Sequence, residues 1–89
     1  MDEKNNDLNV QCYCCGYFSL EEKGVAEICL VCFWEDDVET DLDVISNPNR
    51  MTLRNGRKNF LEFGACEEIF IRDVIKNPES KYRKGILKV

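Results

Sequence analysis

The sequence predicts a small α+β domain: a β-hairpin held between two metal-binding knuckles and followed by two short helices. Three observations carry this expectation. Four cysteines fall in two Cys-x-x-Cys pairs, Cys12–Cys15 and Cys29–Cys32, with thirteen residues between them. Two short apolar runs lie between the pairs, on either side of a turn containing Gly24. Further on, Thr52 and Gly64 bracket a segment with helical patterning.

A Cys-x-x-Cys turn points both of its sulfurs at one spot, and two facing turns supply the four thiolates of a tetrahedral Zn²⁺ site. Gly16, directly after Cys15, suits a turn that needs positive φ. The first apolar run is Tyr17 to Leu20, the turn is Glu21 to Gly24, and the second run is Val25 to Ile28. A hairpin with one knuckle before its first strand and one after its second is the layout of a zinc ribbon. After Trp34 comes an acidic loop through Asp43, and then turn residues Asn47-Pro48-Asn49. Thr52 is expected to cap a helix from Leu53 to Phe63 that ends on Gly64. Leu53, Phe60, Leu61 and Phe63 would form its apolar stripe, with Arg54, Arg57 and Lys58 on the wet side. Gly56 is a blemish there, costing about 1 kcal/mol relative to alanine. A second helix is expected from Glu67 to Lys76, stopped by Asn77-Pro78. Residues 1–9 read as a tail, 10–79 as the domain, and 80–89 as a basic extension that either adds a short strand or stays mobile.

With 89 residues the chain buries only a modest core, and a structural metal is a common remedy. Zinc bound by four cysteines contributes about 10–16 kcal/mol in small peptides, enough to make the metal a condition of folding. Six cysteines would also allow a disulfide framework. The polar, acidic start from Met1 to Asp7 has no signal-peptide pattern, so a cytoplasmic chain with reduced thiols is expected, which favours metal. No apolar run approaches the roughly 18 residues of a membrane span.

The net charge of −5 is unevenly spread. Residues 1–49 carry 12 acidic and 2 basic side chains, a net −10; residues 50–89 carry 5 acidic and 10 basic, a net +5. Six carboxylates, Glu35, Asp36, Asp37, Glu39, Asp41 and Asp43, sit within nine residues just after the second knuckle. A dense anionic loop on a rigid scaffold suits a basic protein surface, and these six are the expected partner-binding residues. The alternative is a nucleic-acid-binding or transcription-associated zinc ribbon using Arg50, Arg54, Arg57, Lys58, Lys81, Arg83, Lys84 and Lys88. A pI near 4.7 weighs against it.

Catalysis is not expected. The chain has no histidine to act as base or ligand, and Cys12, Cys15, Cys29 and Cys32 would fill the shell of one structural zinc. Iron in the same four thiolates would make an electron carrier similar to rubredoxin, but rubredoxins separate their knuckles by a far longer stretch. Cys14 and Cys66 stand outside the ligand set, as ordinary buried thiols or as a redox-sensitive pair.

Cys12-Tyr13-Cys14-Cys15-Gly16-Tyr17, then Glu27-Ile28-Cys29-Leu30-Val31-Cys32-Phe33-Trp34-Glu35-Asp36-Asp37, resemble the bacterial cysteine-rich CPCC family. The stretch from Thr52-Leu53 through Asn59-Phe60 to Phe63-Gly64-Ala65-Cys66-Glu67 is similar too, so the likeness covers roughly residues 11–68. Tyr13 and Leu30 stand where the family usually has proline, which implies slightly looser knuckles around the same ligands. The loop before Thr52 lacks the family's usual glycines. The resemblance implies a small intracellular zinc-ribbon domain. Some members resemble the partners encoded beside secreted polymorphic toxins, which implies an immunity protein that binds and neutralises a toxin domain.

Overall fold

Each cysteine pair folds its own stretch of chain into a tight loop, and the two loops are built alike. In the first, the Cys12 amide donates to Tyr17 O (2.9 Å) and the Gly16 amide to Cys12 O (2.8 Å). In the second, the Cys29 amide donates to Trp34 O (3.0 Å) and the Phe33 amide to Cys29 O (2.8 Å). Tyr13 and Leu30, in place of proline, leave both closing bonds at the same length. The residue after each second cysteine has positive φ, +88° at Gly16 and +72° at Phe33. Glycine takes that conformation freely, whereas a phenylalanine pays about 1–2 kcal/mol. The Phe33 ring packs on Phe70 with centroids 4.7 Å apart, a contact that offsets the strain. The computed structural model describes residues 10–87; the tail expected over residues 1–9 lies outside the described residues, as do Lys88 and Val89.

The α+β class stands, but the hairpin forms elsewhere. The runs Tyr17–Leu20 and Val25–Ile28 do not pair with each other. Leu20 bridges back to Val10, Ile28 bridges forward to Glu35, and Tyr17 pairs with Lys84. The intervening turn is held by other means. Glu27 Oε1 accepts from the amides of Glu21 (2.9 Å) and Glu22 (3.2 Å), and Ala26 takes φ +61°, which breaks an extended strand before Ile28.

The regular two-stranded sheet is β1 (Ile45–Ser46) with β2 (Met51–Thr52), antiparallel, in the register Ile45 to Thr52. Its turn is the expected Asn47-Pro48-Asn49, closed by the Asn49 and Arg50 amides donating to Ser46 O (3.2 and 2.7 Å). Helix α1 follows at once, Leu53–Phe63. Thr52 Oγ1 accepts from the Asn55 amide (3.1 Å), and Gly64, at φ +82°, donates to Phe60 O.

The buried face of α1 differs from the expected stripe. Leu53 and Gly56 are buried, Phe60 and Phe63 half-buried, and Leu61 is 82 % exposed. Arg57 is not on the wet side: its Nε donates to Tyr13 O (2.7 Å), pinning α1 to the first knuckle. The expected second helix reduces to a 3-10 turn, Glu68–Phe70, with Ile69 71 % exposed. Glu67 gives it no side-chain cap, and the Ile75 amide donates instead to Leu30 O of the second knuckle (3.0 Å). That bond draws the chain across the knuckle instead of into a further turn.

The basic C-terminal stretch closes the other side. The Phe18 amide donates to Arg83 O and the Gly85 amide to Gly16 O, both at 2.8 Å, and Tyr82 is buried. Arg83 lies over the Phe18 ring at 4.3 Å. The core therefore sits between the knuckles: the cysteines, Leu20, Val31, Trp34, Leu53 and Tyr82.

Candidate metal centre

Cys12, Cys15, Cys29 and Cys32 are brought together as the sequence expects. Their four Sγ atoms all lie within 4.8 Å of one another, and each residue is fully buried. The Cys12–Cys32 and Cys15–Cys29 sulfur separations are 3.6 and 3.7 Å. A tetrahedral shell with metal–sulfur bonds of about 2.3 Å has edges of roughly 3.8 Å, so these spacings are those of a four-thiolate metal site. They are far too long for a disulfide, whose sulfurs lie about 2.05 Å apart, and all six cysteines are free. The chemistry and the spacing both fit one metal ion.

The surroundings prepare the site for a cation. Ser19 Oγ lies 3.0 Å from Cys29 Sγ, and the Val31 amide donates to the same sulfur at 3.3 Å. Hydrogen bonds from Cys12, Cys15 and Cys32, with Ser19 adding to them, hold the Cys29 thiol well below its ordinary range in spite of burial. Burial pushes the Cys15 and Cys32 thiols up. A dication held here would bind the sulfurs as thiolates, so uptake of metal would release protons. Four cysteine ligands would complete a tetrahedral shell around such an ion.

Cys14 and Cys66 lie beside the centre but outside the ligand set. Cys14 is buried under α1; a hydrogen bond with Cys32 favours its thiolate, but burial and the neighbouring Cys12 and Cys29 sulfurs together outweigh that bond and raise its pKa. The Cys66 amide donates to Cys32 O (2.7 Å), and burial pushes its thiol up to about 12.

The six acidic residues do not share one surface. Asp36 is buried, its side chain only 2 % exposed, and it is removed from the expected partner face. It pairs with Lys23 Nζ and accepts from the Gly24 amide (2.8 Å), while Lys23 also lies 3.7 Å over the Tyr13 ring. An unpaired carboxylate at that depth is costly, so Lys23 is its necessary counter-ion. Asp37 is half-buried and accepts from Ser46 Oγ (2.9 Å). Asp43 is exposed but held by Arg54 in a two-bond fork. Glu39 and Asp41 accept from the amides of Asp41 and Asp43, both at 2.9 Å, and so shape their own loop. Glu35 is anchored by its backbone, with Asn49 accepting from its amide and donating to its carbonyl. Sequence reasoning missed Ser19, Lys23 and Asn49, since no motif ties them to partners 10 to 14 residues away.

Fold and site together define a small α+β domain built around a buried four-cysteine centre. The Cysteine-rich CPCC family matches over residues 10–81, and the chain belongs to that family. No curated protein and no solved structure gives a significant match to it. Among the described residues no helix is long and apolar enough to cross a membrane.

Proposed function

We propose that this chain is a cytoplasmic, zinc-binding, non-catalytic protein-interaction module, and that it acts as an immunity protein, neutralising a toxin domain with a basic surface. The observation that carries the module reading is the closed, buried set of four sulfurs within 4.8 Å. A metal there has no open coordination position, so its contribution is rigidity. Zinc is preferred to iron because a redox-inert ion suits a purely structural role.

The rigid second knuckle leads directly into the acidic loop. With Asp36 withdrawn and Asp43 paired, Glu35, Glu39 and Asp41 are the carboxylates left to meet a basic partner, with Asp37 at their edge. The neutralising role rests on the family resemblance together with this anionic loop.

Metal analysis of the purified chain is expected to return one zinc per chain, and no zinc would overturn the module reading. A pull-down from the source cells is expected to yield a basic protein that is toxic when expressed alone and harmless with this chain. A captured partner without toxicity would remove the neutralising role while leaving the zinc module standing.

A further inference from the structure

We propose that the depression beside α1 lined by Arg50, Arg54 and Lys58 is a phosphate-binding site. The cavity has a volume of about 400 Å³, and its remaining lining is Thr52, Asn55, Ile45 and Met51. The three cations follow one another at intervals of four residues, Arg50 from the end of the hairpin turn and Arg54 and Lys58 from successive turns of α1. No acidic residue lines the cavity.

Arg54 and Lys58 are like charges four residues apart on one helix and repel, a repulsion that Asp43 offsets only through Arg54 and that a further anion would relieve. Two ion pairs occur among the described residues, and neither includes Arg50 or Lys58. Arg54 shows that an oxyanion fits. Its Nε and Nη2 donate to the two carboxylate oxygens of Asp43 at 2.8 and 3.0 Å, a fork that phosphate accepts equally well. Both partners of that pair are more than half exposed, so the carboxylate is cheaply exchanged for an external anion. The helix amides are not invoked, because the Asn55 amide already donates to Thr52 Oγ1. Exposed Ile45, with Met51, gives the depression an apolar wall on which the organic part of a phosphate ester would rest. The ligand class is therefore a phosphate group, from either a nucleic-acid backbone or a small phosphate ester. This goes beyond the protein-binding reading and uses the opposite charge.

The test is titration of the full, zinc-loaded chain, followed by amide NMR, first with inorganic phosphate and then with a ten-nucleotide DNA strand. Saturable shifts at Thr52, Asn55 and Lys58, absent from the knuckles, are expected with phosphate. Arg50→Gln with Lys58→Gln should weaken binding by at least about tenfold, the loss of charge-assisted hydrogen bonds. Asp43→Asn should tighten it, since the competing carboxylate is gone. The oligonucleotide binding at least about tenfold tighter than phosphate, with a steep salt dependence, would identify a nucleic-acid backbone as the source; equal affinities would identify a free phosphate or small ester. Shifts that spread without saturating, or a double variant that binds like the parent, would overturn the site. The variants keep all four cysteines, so zinc content measured in parallel separates failure of this site from failure of the module.

Discussion

A Cβ built on Gly56 would stand 2.6 Å from Trp34 Cζ3, so α1 lies directly on the indole ring. The same Cβ would lie 3.2 Å from Cys14 Sγ. The glycine that weakens the helix locally is the residue that lets the helix reach the core between the knuckles.

Gly56→Ala is therefore expected to destabilise the protein. In an exposed helix the change would gain about 1 kcal/mol from propensity. Here overpacking against a buried ring costs about 1–3 kcal/mol, and the ring cannot shift without moving the second knuckle. Thermal melting of the zinc-loaded variant should fall by several degrees. An unchanged or higher melting temperature would show that α1 does not rest on Trp34.

Removing one ligand should be far worse than removing a neighbour. Cys29→Ser is expected to abolish stoichiometric zinc and most of the fold, because it opens the shell at the sulfur with the most hydrogen bonds. Cys14→Ser should retain one zinc and lose about 1–2 kcal/mol for a buried hydroxyl in place of a thiol. The opposite ranking in metal content would show the ligands to be misassigned.

Alkylation should distinguish the same residues without mutation. Cys66 is buried and its thiol lies at about 12, so its thiolate is scarce at neutral pH, and reactivity should stay low until the pH nears that value. Iodoacetamide at pH 8 is expected to leave all six cysteines unmodified in the zinc-loaded protein and to label all six once a chelator has removed the metal under denaturing conditions. Rapid labelling of Cys66 in the loaded protein would show that its cover is open.

The acidic residues should separate into two behaviours. Asp36→Asn breaks the pair with Lys23 inside the fold and is expected to cost roughly 1–3 kcal/mol. Glu35→Gln, Glu39→Gln and Asp41→Asn together should leave melting nearly unchanged, since amide oxygens still accept the loop's hydrogen bonds. Their effect should appear instead as slower association with the captured partner and a weaker salt dependence. Association at the parent's rate in low salt would remove the acidic loop from the interface.

The C-terminal stretch is expected to be part of the folded unit. Tyr82→Ala should cost about 3–5 kcal/mol, as for other buried aromatics, although the residue lies 50 positions beyond Cys32. Hydrogen exchange at Phe18 and Gly85, whose amides bond across that junction, should accelerate with it. Slow exchange at both in the variant would show that the junction holds without Tyr82.

The sequence by itself determined the cluster of four cysteines, the knuckles and the limits of α1. All of these depend on interactions a few residues long: the reach of a Cys-x-x-Cys turn, Gly16 at positive φ, Thr52 capping Asn55 and Gly64 closing on Phe60. Only the tertiary structure decided how those pieces share their remaining groups. Val10 and Glu35 took the pairings expected between Tyr17–Leu20 and Val25–Ile28, and Leu30 took the Ile75 amide expected to stay within a second helix. Lys23 drew Asp36 inward, and Trp34 required a glycine at position 56. Each of these partners is distant in sequence, or is selected only after the two knuckles have come together. A backbone donor or a buried charge goes to whichever group the assembled fold brings within reach, and local patterning carries no record of that distance.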